Sequence, residues 1–188
     1  MNQLVFWPNK ILRVKTNKIS LVDNKLLAEV ADLKKILDES LGVGLAATQI
    51  GLDRRFLAIK NSETKKTTVY INPEISAVFG EKIFPIMVDK DGKEDDFLEG
   101  CLSFPDYWGT VKRFLKIQVI WKEIRGIKLV KREKVMTGLE AVIFQHEYDH
   151  LEGIVFVDRI KEDKGKFFKS YKNKMIKWDL DKVIEGNL

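Results

Sequence analysis

The 188-residue chain contains two histidines, and both fall in Gln145-His146-Glu147-Tyr148-Asp149-His150. Residues four apart on a helix share a face, so His146 and His150 could converge on one metal ion. Glu147, beside the first imidazole, is then placed to handle a proton on a metal-bound water. Such a pattern is short enough to arise by chance, and two histidines on a helix can simply be hydrogen-bonded to neighbours. A third ligand from elsewhere decides between these readings.

The only thiol lies in Glu99-Gly100-Cys101-Leu102-Ser103. A lone cysteine is more often a small buried hydrophobe than a ligand. Here the chain also offers two imidazoles lacking a third partner, and one thiolate, two imidazoles and one open position make a catalytic coordination set. Further upstream, Gly42-Val43-Gly44-Leu45-Ala46-Ala47-Thr48-Gln49 is dense in small residues, with glycines that permit tight turns and close approach of another backbone. Gln49 within it is either satisfied by the protein or points its amide into a site.

Certain elements must position these groups. Thr137-Gly138-Leu139-Glu140 reads as a capping box that starts a helix, and Gly153 as its stop. Leu139, Val142, Ile143, His146 and His150 then fall on one side of it. From Asp23, an N-cap, Leu26, Leu27, Val30, Leu33, Ile36, Leu37 and Leu41 give a second helix that Gly42 ends. Strand-like runs cover 56–60, 67–72, 74–79, 114–121 and 127–131, with turns at Asn72-Pro73 and Arg125-Gly126. The charged stretch Met87 to Asp96 reads as an exposed loop or hairpin tip without the spacing of a calcium loop. In the tail, Phe168, Tyr171, Met175 and Trp178 recur as on one face of a helix. Between Lys161 and Lys182 the tail carries eight lysines against four acids.

Length and composition suit one domain with a real core: 45% of residues are hydrophobic and 32% charged. One cysteine excludes an internal disulfide. No apolar run is long enough to span a bilayer, and Met1 to Trp7 lacks the features of a signal peptide, which predicts a cytoplasmic protein. The net charge of +5 favours anionic partners, including RNA, without requiring one.

The three boxes, in this order, resemble the motifs of peptide deformylase. The resemblance runs from Pro8-Asn9-Lys10-Ile11-Leu12 to about Ile160. It implies an α+β fold of mixed and antiparallel strands wrapped around a central helix. Residues 1–160 would form the catalytic domain and 161–188 a basic C-terminal helix or tail of the same domain. It also implies a hydrolase that removes the formyl group from the N-terminal formylmethionine of nascent chains, releasing formate. On this likeness Cys101, His146 and His150 hold one divalent ion, Fe²⁺ in cells, for which Zn²⁺, Ni²⁺ or Co²⁺ may substitute. Glu147 is the proton carrier, while the Gln49 amide and the Leu102 backbone N–H donate to the developing oxyanion. Val43, Gly44, Glu99, Gly100, Leu139, Val142 and Ile143 are expected around the substrate. The partners implied are formyl-Met nascent peptides and, through the basic tail, the ribosome, with neither membrane nor DNA. Two features depart from the common pattern: a longer link from Asn72 to Glu99, and Trp108 where many members have an arginine that contacts the substrate backbone. The rival readings are a zincin-type peptidase, a catalytically silent relative and a thiol enzyme using Cys101 as nucleophile.

Overall fold

The computed structural model describes residues 2–61, 63–172 and 174–186. An N-terminal arm with a 3-10 turn at Lys10–Arg13 leads to helix α1 (Asn24–Glu39). Asp23 caps α1 as expected, its carboxylate accepting from the Leu26 N–H at 2.7 Å. The helix ends before Gly42, at Ser40, whose hydroxyl donates to the Leu37 carbonyl. Strands β1 (Gly44–Ala46), β2 (Phe56–Lys60) and β3 (Thr67–Ile83) follow, then β4 (Ile86–Val88), β5 (Glu94–Asp96), β6 (Glu99–Cys101), β7 (Phe104–Gly109), β8 (Arg113–Arg125) and β9 (Lys128–Thr137). The chain continues through helices α2 (Gly138–Leu151) and α3 (Phe156–Asp163), strands β10 (Phe167–Tyr171) and β11 (Lys174–Lys177), and the short helix α4 (Leu180–Ile184).

The strands form a five-stranded sheet in the order β1-β2-β3-β8-β9, a four-stranded sheet β11-β10-β7-β6 and the hairpin β4-β5. Every named pair is antiparallel, so the mixture of parallel and antiparallel strands allowed by the sequence resolves to antiparallel among the described residues. Helix α2 packs on β8, β1 and β2. Between it and the large sheet lie Leu57, Tyr70, Ile117 and Phe144, all buried. A second cluster joins α1 to the sheet through Leu26, Leu33, Leu37 and Phe56. A third, with Phe104, Tyr107, Phe156 and Val183, sits beneath the small sheet.

Three expectations are corrected. Asn72-Pro73 is not a turn: β3 runs straight through it with a register shift against β8. Asn72 takes the left-handed conformation (φ 48°) and clamps the N-terminal arm, accepting from the Ile19 N–H at 2.8 Å and donating to its carbonyl at 2.7 Å. The bulge thus answers the proline without ending the strand. Thr137 does precede α2, but its side chain makes no cap hydrogen bond, and the Glu140 carboxylate pairs with Lys134 at 2.6 Å. Finally, Phe168, Tyr171 and Met175 lie on the β10-β11 hairpin rather than on a helix. The pairing energy of β10 with β7 outweighs the three-four spacing.

Candidate active site

Helix α2 is buried on nearly every side although half of it is polar: Gln145, His146, Glu147, Asp149 and His150 are all buried. Each polar group must therefore find a partner or face a ligand. Gln145 binds back to β8, donating to the Phe114 carbonyl at 2.7 Å and accepting from its N–H at 3.1 Å. Nδ1 of His146 lies 2.8 Å from the Glu99 carboxylate. A carboxylate can only accept, so Nδ1 carries a proton, which leaves Nε2 as the nitrogen a metal would take on losing any proton of its own.

Glu99 is in turn gripped by Arg113, whose Nε and Nη2 donate to its two oxygens at 2.8 and 2.9 Å. Nη1 of Arg113 reaches Asp149 at 2.6 Å, and Arg159 closes the chain on Asp149 at 2.7 Å. Burial alone would raise the Glu99 pKa, but Arg113 and His146 outweigh it and hold the carboxyl at about 2. Both side-chain oxygens of Glu99 are thus committed behind His146, while the residue itself lies on the cleft lining. Arg113 and Arg159 carry no signal of their own in the sequence. The indirect one is two acids inside the boxes, Glu99 and Asp149, which require a cation once they are buried.

Cys101, on β6, His146 and His150 bring one sulfur and two ring nitrogens within 4.8 Å of one another, all three residues buried. Sγ and Nε2 of His150 face each other at 3.3 Å. Burial, with the His146 charge adding to it, pushes the His150 pKa down to about 3, so this ring is a neutral donor. A polarizable sulfur with two imidazoles is a donor set for a first-row divalent ion, and the convergence of three such atoms in a buried cleft fits one. They form a Cys/His/His metal triad.

Gln49 is held by protein partners, with its amide beside the triad. Its carbonyl oxygen accepts from the Ala46 N–H at 2.8 Å, which fixes the amide, and its Nε2 points to Cys101 Sγ and Ser103 Oγ at 3.4 and 3.3 Å. The NH₂ thus has a nearby acceptor for each of its two N–H groups, one of them the triad sulfur. Glu147 stands beside the triad with Oε2 buried and unpartnered among the described residues. Its carboxyl presses on Gly44, where a Cβ would come within 2.4 Å of Oε1. Burial first, then the charge of Glu99, raises its pKa to about 7 against the opposing cations His146 and Arg113.

These groups open into a cleft of about 500 Å³. Of the residues expected around the substrate, Val43, Gly44, Glu99, Gly100, Val142 and Ile143 line it, and Leu102 does too. Leu139 does not: it is 53% exposed and lies outside the lining, because α2 turns its first residues toward solvent. Trp108 also lines the cleft, its ring laid across Gly100.

Fold and site together define a metal-binding hydrolase. The family model for polypeptide deformylase matches residues 1–166, and the chain belongs to the peptide deformylase family. The peptide deformylase of Aquifex aeolicus is 36% identical over 165 residues, covering 86% of this chain and 88% of the relative. That of Desulforudis audaxviator is 37% identical over 157 residues, with 84% and 92% covered. The crystal structure of the Thermotoga maritima enzyme superposes with a TM-score of 0.72 at 29% identity, over 85% of this chain and 97% of the other. The activity is that of the family, removal of the N-formyl group from nascent peptides.

Proposed function

We propose that the chain hydrolyses the formyl amide of N-terminal formylmethionine with Glu147 as the proton carrier and Cys101, His146 and His150 holding Fe²⁺. The observation that carries this reading is the unpartnered, buried Oε2 of Glu147 beside the triad. A divalent ion bound there would lower the pKa of a water and polarise the formyl oxygen. Glu147 would take a proton from the attacking water as its oxygen adds to the formyl carbon. The C–N bond then breaks, formate leaves, and Glu147 returns the proton to the amine nitrogen of methionine. The Gln49 NH₂ and the Leu102 N–H donate to the oxygen that gains charge; one such donor is typically worth about 10²–10³ in rate. Val142 and Ile143, apolar and on the cleft wall, are suited to the methionine side chain. Gly44 on β1 offers backbone to a peptide lying extended beside it.

Iron as the cellular metal fits the thiolate and imidazole donors, which take Zn²⁺, Ni²⁺ and Co²⁺ as well. The basic tail, 161–188, is read as part of the same domain; among its described residues, the pairing of β10 with β7 and the bond from the Trp7 indole to the Val183 carbonyl at 2.7 Å support this. A cytoplasmic enzyme meeting nascent chains at the ribosome through the lysines of 161–182 completes the reading. No described helix is long and apolar enough to cross a membrane.

The test is anaerobic formate release from a formyl-Met tripeptide by the parent and Glu147→Ala, with metal content measured on both. The parent should turn over and Glu147→Ala should lose about 10²–10⁴ in kcat at unchanged metal content. Chelation should abolish parental activity, which a nucleophilic Cys101 alone would survive. Full metal occupancy with no turnover in the parent would show a silent relative.

A further inference from the structure

The cleft extends beyond the triad along β6 and β7, and one side chain shapes that extension. Gly100 and Trp108 are cross-strand partners. A Cβ on Gly100 would come within 2.7 Å of Cε3 and Cζ3 of Trp108, so the indole lies flat over bare backbone, next in sequence to the ligand Cys101. Glycine is required here because any side chain would lift the ring off the strand. The indole is 40% exposed, with Leu98 and Pro105 also on this part of the cleft lining. Large exposed aromatic surface in a concave site is what a ligand side chain can cover.

The position is braced from behind. Strand β10 pairs with β7 so that Phe168 stands opposite Trp108 and Lys169 opposite Tyr107. Phe167 stacks on Tyr107 with ring centroids 5.5 Å apart, and the Lys169 ammonium lies 5.0 Å from the Tyr107 ring and 4.9 Å from that of Trp178. These residues lie beyond 166, where the family match ends. The C-terminal hairpin therefore supports the strand that carries the indole.

Charge gives the second half of the argument. Among the described residues lining the cleft there is no lysine or arginine, and the acids are Glu99, Asp106 and Glu147. Arg113 neutralises Glu99, while Asp106 stands exposed two residues from Trp108. A peptide side chain reaching this wall meets an aromatic surface and no cation.

We infer that Trp108, seated on Gly100 and backed by the β10-β11 hairpin, is a specificity-determining residue. It favours substrates with an apolar or aromatic side chain just downstream of formylmethionine and disfavours acidic ones. The inference rests on the deformylase reading of the same cleft. It adds a preference that the metal triad and Glu147 do not set.

The experiment compares kcat/KM for formyl-Met-Phe-Ser, formyl-Met-Gly-Ser and formyl-Met-Asp-Ser, and for the same residues at the third position. The parent, Trp108→Ala, Trp108→Phe and Phe168→Ala are each run with metal content determined. The parent should favour phenylalanine over glycine and place aspartate last at one of the two positions. Trp108→Ala should shrink the phenylalanine-to-glycine ratio about 5- to 20-fold, through KM rather than kcat. Trp108→Phe should retain most of the ratio, and Phe168→Ala should move it partway. Equal effects on all peptides, or an unchanged ratio in Trp108→Ala, would overturn the inference. Calorimetric titration of the unformylated peptides Met-Phe-Ser and Met-Gly-Ser gives a readout independent of turnover. If the parent binds them with the expected preference but releases no formate, the catalytic reading fails and this one stands. Turnover without that preference fails only this one.

Discussion

At the scale of single residues, the site is governed by what lies behind the ligands. Glu99 holds the His146 tautomer and is itself held by Arg113, in a chain that runs on to Asp149 and Arg159. Removing the charge at its head leaves Arg113 buried with one fewer counter-ion, and breaking such buried pairs typically costs about 3–5 kcal/mol. Glu99→Gln should accordingly lower stability in urea unfolding. It should also weaken metal retention about 10- to 100-fold in a chelator competition, the usual consequence of losing the partner behind a ligating histidine. Parent-like metal affinity in Glu99→Gln would show that the His146 orientation is set by packing alone. The residue types of the triad, Glu147 and Gln49 were all legible in the sequence, because their chemistry limits what else they can do. Arg113 was not, since an arginine at the start of a strand looks like any solvated cation until the carboxylates around it are located in space.

Elements decide how close those residues come. Strand β1 is three residues long and carries Gly44 against the Glu147 carboxyl on α2. Gly44→Ala would push a methyl into that carboxyl and displace it, while the triad, on β6 and α2, stays assembled. The expected outcome is a loss of kcat of at least about 10-fold at parental metal content, measured by formate release and metal analysis. Retained activity would mean that the carboxyl can shift without penalty. The two long helices and the β8-β9 hairpin were readable from periodicity, the Asp23 cap of α1 and the Arg125-Gly126 turn. The tail was not. Lys172 takes a left-handed conformation at φ 47°, a place that glycine or asparagine ordinarily marks, and the aromatic spacing there fits a helix as well as a strand. Only the edge of β7, a partner remote in sequence, selects the strand.

For the whole molecule, the interface between α2 and the large sheet sets the response to alkali. Tyr70 is buried there against Trp121 and Phe144, with centroids 5.0 and 5.4 Å away. Burial, aided by the charge of Glu140, raises its pKa from 10.0 to about 12. The phenol stays neutral in the folded chain where it would already ionise in the unfolded one. Its contribution is therefore complete below pH 10 and is lost as pH climbs from about 10 to about 12, on the order of 2 kcal/mol in all. Tyr70→Phe, which cannot ionise, should show a flatter fall in chemical-denaturation stability across that window. A parallel fall in both proteins would assign the alkaline loss to other groups.

The hydrogen bond from Trp7 to Val183 spans 176 positions, and β7 finds its outer neighbour only in residues 167–171. The chain is in this sense closed on itself. A protease that removed 167–183 would strip the outer neighbour from β7 and the acceptor from the Trp7 indole together, while leaving Cys101, His146 and His150 in the chain.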